Sequence, residues 1–259
     1  MHKQRENLDD QQLADIKSKK QSPILFSTQM VEAILNNTKS QTRRIVKQNR
    51  RWCEDVDEVD LKSWFEKGII KSPYGEKGDM LWIRETWKMI GHTQDDHTEF
   101  HFQYKDGEDR HIDFYGDDDR CEYWVKKLDD LCANLLEKGL AEENDEEERY
   151  TWNKEDVPWK PSIHMPKEVA RIWLKISDIR VERLHDISDV DCVEEGIKHS
   201  QGKSGPLCWY DYKHKSYNAV TGVTSSFKTL WQTVNGPGSW NINPWVWVIS
   251  FEQIENPNK

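Results

Sequence analysis

Residues 170–184 alternate in character for most of their length. Ile172, Leu174 and Ile176 fall on one side, Trp173, Lys175 and Ser177 on the other, and beyond Asp178 the apolar phase moves to Ile179, Val181 and Leu184. A period of two held this long is a strand, and one apolar face set against one mixed face places it in an antiparallel sheet with a wet side. The change of phase at Asp178 is that of a bulge. Shorter runs supply partners: Ile24-Leu25-Phe26, the alternation of Leu81 and Ile83 against Trp82 and Arg84 behind a Gly-Asp turn, and Trp245 to Phe251. Helical periodicity recurs at 30–35, at 122–140 and around Phe227–Trp231, and Ser188 reads as the N-cap of a short helix with Gly196 past its end. Strands and helices mixed without βαβ regularity make the chain α+β.

The chain has 259 residues, enough to bury a core without disulfides or metals. Its charge is −10, but residues 95–150 alone hold 20 Asp or Glu against 7 Lys or Arg, a local balance of −13, so the rest carries +3. The acidity therefore belongs to an insertion, placed at about 91–150. Its apolar positions Trp124, Leu128, Leu131 and Leu135 make a docking helix, and its acidic run at 142–148 is expected as a solvated loop. Residues 1–22 and 255–259 read as tails, 23–254 as a single domain, and the Gly/Ser-rich 199–226 as a long loop. Five scattered cysteines without a Cys-x-x-Cys, no apolar run of membrane-spanning length and no signal-peptide core point to a reduced, cytoplasmic chain. His97 and His101 have helical ligand spacing, yet no further ligands accompany them, so neither metal nor cofactor is implied.

Chemistry concentrates in Asn36-Asn37-Thr38-Lys39-Ser40-Gln41-Thr42-Arg43-Arg44, delivered by the amphipathic run 30–35. An amine, a hydroxyl and two guanidinium groups within six residues can meet one anionic or carbonyl-bearing ligand. Cations after a helix also simply complement its negative end. Lys39, Arg43, Arg44, Lys47, Arg50 and Arg51 form a basic run with no intervening acid, a footprint suited to phosphate or to plain solvation.

Residues 34–44 resemble the signature loop of ASCH domains, which are PUA-like β-barrels associated with RNA and nucleosides. The Gly-Asp turn followed by Leu81-Trp82-Ile83-Arg84-Glu85-Thr86-Trp87, and the Trp-rich ending at 245–251, resemble the larger ASCH-like proteins encoded by phages. The resemblance runs from about Ile24 to Ile254. It implies a PUA-like mixed or antiparallel β-barrel with flanking helices and an acidic helical insertion, acting on a modified nucleoside or on RNA or single-stranded nucleic acid, away from membranes and in the host cytoplasm.

In the ASCH type that hydrolyses N4-acetylcytidine, the catalytic set is a Lys, a Thr and a Glu. Lys39 and Thr42 match by spacing in the loop, and Glu195 by its place in the helix after the long strand, with Glu194 as the alternative. Many ASCH domains carry an acid where Thr42 stands, and that departure favours the amidohydrolase type. Arg43, Arg44, Trp82, Arg84 and Glu85 are then expected to bind substrate, Trp82 by stacking and Arg84 or Glu85 by reading polar edges. A module that binds RNA, single-stranded DNA or a modified base without turnover is the alternative, because a shared fold does not choose between these activities.

Overall fold

The structure is a computed structural model that describes residues 19–47, 60–94, 98–114, 116–144, 149–201 and 207–257. Along the chain its elements are β1 (Gln21–Leu25), α1 (Thr28–Leu35), β2 (Gln41–Ile45), α2 (Leu61–Glu66), β3 (Met80–Arg84), β4 (Trp87–Gln94), β5 (Thr98–Tyr104), β6 (Asp109–Asp113), α3 (Asp118–Glu137), β7 (Ala141–Asn144) and β8 (Arg149–Trp152). They continue with β9 (Trp173–Arg183), α4 (Asp189–Glu194), β10 (His199–Gln201), β11 (Leu207–Asp211), β12 (Ser216–Val220), α5 (Val223–Asn235) and β13 (Trp245–Ile254). The α+β class holds. Among the described residues no helix is long and apolar enough to cross a membrane.

Backbone contacts divide the chain into two units, one from described residues within 19–24, 29–82 and 172–257, the other from 25–28 and 83–171. The first is organised on a five-stranded sheet in the order β1-β3-β9-β13-β2. The long alternating stretch is β9, antiparallel to β3 on one side and to β13 on the other. Its bulge falls where expected, since Ser250 faces Asp178 while Phe251 faces Ile176.

Two expectations need correction here, and the barrel is met only in part. No ladder among the described residues joins β1 to β2, so the sheet is seen without barrel closure; β1 pairs with β3 and β2 with β13. The described residues within 199–226 are not one long loop, because β10, β11 and β12 pair as an antiparallel sheet, and Trp209, Tyr210 and the adjoining Tyr212 pack in one cluster with Phe227 and Trp231 of α5. The N-terminal tail also stops short of 22, since β1 begins at Gln21.

The second unit is wider than the expected insertion. Strands β4, β5 and β6 form an antiparallel sheet, and α3 buries Trp124 edge-on to Phe102, with ring centroids 4.9 Å apart, and stacked near Phe114. The acidic run is not wholly a loop: Glu142 lies in β7, paired with Thr151 of β8, while 145–148 lie outside the described residues. His97 also lies outside them, and His101 is on strand β5 rather than on a helix.

Candidate functional site

Lys39 and Glu195 are brought together by two helices that must stop abruptly. Helix α1 ends on Asn37, whose φ of 56° is the left-handed conformation Asn tolerates, and the Thr38 and Lys39 amides both donate to the Ala33 carbonyl. Helix α4 starts with a reciprocal cap: the Ser188 hydroxyl accepts from the Asp191 amide and the Asp191 carboxylate from the Ser188 amide. It stops at Gly196, with φ +82°, immediately after Glu195. A Cβ on Gly196 would lie 2.9 Å from Lys39 Cβ and 3.2 Å from Ala33 Cβ. Glycine is thus required both for backbone sign and for the close approach that sets Glu195 against Lys39.

The Lys39 amine donates to Glu195 Oε2 at 2.6 Å and to the Glu195 carbonyl at 2.9 Å, and the two side chains are 0% and 4% exposed. Glu194, the alternative partner, instead accepts from Gln41 Nε2 at 2.9 Å. Burial pulls the Lys39 amine below its ordinary range against the opposing pull of Glu195, and Arg44 and Arg43 add to the lowering. Arg43 donates to Gln41 Oε1 (2.6 Å), Glu195 Oε1 (3.3 Å) and Glu182 Oε1 (2.6 Å), and pairs with Asp191 at 3.3 Å. Arg180 closes the network on Glu182 and Asp191. Three cations (Lys39, Arg43, Arg180) therefore meet three carboxylates (Glu182, Asp191, Glu195). Burial opposes ionisation of Asp191, yet bonds from Ser188 and the Arg43 charge outweigh it and hold the carboxyl at about 2.

Next to this network lies a cavity of about 230 Å³. Thr42, Arg44 and Glu195 line it, with Tyr74 and Lys47 on its polar side and Phe227 and Trp231 among its apolar walls. Thr42 is 1% exposed and sits on β2 opposite Ile249 of β13. The segment expected as a loop is a strand from Gln41 onward, which holds Thr42 on a rigid support. Lys39 does not itself line the cavity and reaches it through Glu195. Burial raises the Tyr74 phenol, and Arg44 nearby draws it back down.

The remaining expected residues divide differently. Arg43 lines the cavity, but its guanidinium is held by acids and anchors them. Trp82 is buried at 6% exposure, opposite Trp173 in the β3–β9 pair, so it does not present a free ring for stacking. Both faces of β3 are covered. Glu85 is 3% exposed and takes a two-pronged contact from Arg171, at 2.9 and 2.8 Å, in a cluster with Asp106 and Glu108. Its edge is thereby spent on structure. Arg84 is half-buried at the end of β3, and none of Trp82, Arg84 and Glu85 lines the cavity. The basic run is likewise not an open phosphate patch: Lys39 and Arg43 are buried among acids, Lys47 is exposed, and Arg50 and Arg51 lie outside the described residues.

Sequence reading missed Glu182, Arg180, Gln41 and Tyr74. For the first two a signal was present, as opposite charges at alternate positions share one face of β9. No protein-family model matches the chain, and no curated protein or solved structure matches it either.

Proposed function

We propose that the chain is an ASCH-like, PUA-type protein that removes the acyl group from N4-acetylcytidine or a similarly acylated cytosine. The observation that carries this reading is the dry Lys39–Glu195 pair at the wall of a cavity also lined by Thr42. Small-molecule sites commonly occupy about 300–1,000 Å³. A cavity of about 230 Å³ suits a substituted base better than a nucleic-acid strand.

In this reading Thr42 Oγ1 attacks the acyl carbonyl carbon while its proton passes to the Lys39–Glu195 pair, whose amine burial has made less basic. Arg44 on the lining meets the developing oxyanion. Collapse breaks the bond from the acyl carbon to N4, and the stored proton goes to the departing amino group. Water then hydrolyses the ester on Thr42, with the same pair taking and returning a proton. Arg43, Glu182 and Asp191 keep Glu195 in place.

The test is acetate release from N4-acetylcytidine. We expect turnover by the intact chain and a loss of about 10²-fold or more in Thr42→Ala and in Lys39→Ala. A folded protein inert on a panel of acylated nucleosides would sink the reading. The mutual satisfaction of charges in the network favours a second one, in which the cavity holds a modified base without turnover. That reading predicts salt-sensitive binding of RNA or single-stranded DNA, weakened by reversing charge at Arg44 and Lys47, with no acetate released.

A further inference from the structure

We infer that the β4–β5–β6 sheet carries a site for a divalent transition-metal ion, held by Glu99, His101 and His111. The three residues come from adjacent strands. His101 of β5 is the direct cross-strand partner of His111 of β6, and Glu99 lies two residues before His101, on the same face. The imidazole rings stack with centroids 4.0 Å apart and planes 12° from parallel. Each residue offers one donor atom, and the three atoms lie within 4.8 Å of one another.

The spacings suit a ligand set. Glu99 Oε2 is 3.4 Å from His111 Nδ1 and 3.8 Å from His101 Nε2, both beyond the roughly 2.7–3.2 Å of an N–H···O bond. Donors bound at about 2.0–2.1 Å around one tetrahedral ion stand roughly 3.3–3.4 Å apart. The Glu99 gaps approach that spacing, and tilting one imidazole out of the parallel stack turns both ring nitrogens toward one ion. Thr93 Oγ1 hydrogen-bonds His101 Nε2 at 3.2 Å, a contact that a bound ion would replace. His101 is 18% exposed and His111 51%, so the ion can enter from solvent onto a paired, rigid support.

Two imidazoles and one carboxylate suit zinc, cobalt, nickel or copper ions, whereas calcium and magnesium prefer all-oxygen sets. The sequence hides this arrangement, because His101 and His111, ten positions apart, become neighbours only through the β5–β6 register. Bound metal would pin two strands together and raise the melting temperature of the unit that holds them.

The full chain, freed of metal by chelation and dialysis, would be titrated with zinc chloride by calorimetry and with cobalt chloride by visible absorption. We expect one equivalent to bind, with cobalt bands typical of four- or five-coordinate nitrogen and oxygen ligation. Affinity should drop at least about 10-fold in His111→Ala and in Glu99→Gln, and zinc should raise Tm in the parent but not in His111→Ala. Because His111 is half-exposed and Glu99→Gln keeps the side chain's size, both variants should fold, as circular dichroism would verify. His185→Ala, on the other unit, should bind as the parent does. Absence of saturable binding, or binding unchanged in His111→Ala and Glu99→Gln, would overturn the assignment.

Discussion

Lys39→Met keeps the length of the side chain and removes its charge, so it isolates what the buried pair contributes. The two groups are 0% and 4% exposed and 2.6 Å apart. Removing one partner of such a pair costs about 3–5 kcal/mol, because the other is left charged and dry. Here the lower end applies, since Arg43 still reaches Glu195 at 3.3 Å. A loss of about 3 kcal/mol corresponds to a fall of roughly 6–12 °C in Tm for a chain of this size. Tryptophan fluorescence through a urea titration would measure it. The companion Glu195→Leu and the double variant complete a cycle, and residues in contact should show a coupling of about 1–3 kcal/mol. A cost under about 1 kcal/mol, as for exposed pairs, with single effects that simply add, would refute the picture of a sealed pair.

Gly196→Ala should lose about 2 kcal/mol or more, from a left-handed backbone costing roughly 1–2 kcal/mol and from the 2.9 Å approach to Lys39 Cβ. Gly68→Ala, also at positive φ but with nothing within 4 Å, should lose only the backbone part in the same urea assay. For Glu195→Gln the sign of the pH dependence is set by Lys39. Its folded value lies below the ordinary 10.5, so between the two the unfolded chain holds a proton the folded chain has released, and stability rises with pH. Without Glu195 that window should widen downward, and stability curves between pH 7 and 10 would reveal it; parallel curves for parent and variant would contradict it. Asp191 behaves in the opposite sense: held at about 2, it contributes stability above the ordinary 3.8 that disappears as pH falls toward 2. Asp191→Asn should therefore flatten the acid limb of the stability curve.

What could be read from sequence were features whose cause is local. Ser188 and Asp191 cap α4 through bonds three residues apart, and the bulge in β9 shows as a slip of phase at Asp178. Features whose cause is tertiary stayed hidden. Gln41-Thr42-Arg43-Arg44-Ile45 has no apolar alternation, and it is a strand because β13 offers it a ladder and distant acids neutralise its cations. The alternation at 81–84 separates two faces but cannot tell that both are covered, which is why Trp82 was expected outside. Lys39 and Glu195, 156 residues apart, were paired through a resemblance to a family, and the backbone accounts for their meeting through Asn37 and Gly196.

The chemical claim is tested most directly at Thr42 itself. N4-acetylcytidine would be mixed with the protein, the reaction quenched with acid at early times, and the digested chain examined by mass spectrometry. The account predicts one acetyl group on the peptide bearing Thr42 during turnover, absent from a folded Thr42→Val variant that releases no acetate. Acetate released at the parental rate by Thr42→Val, or a parent that neither turns over nor becomes acetylated, would contradict it.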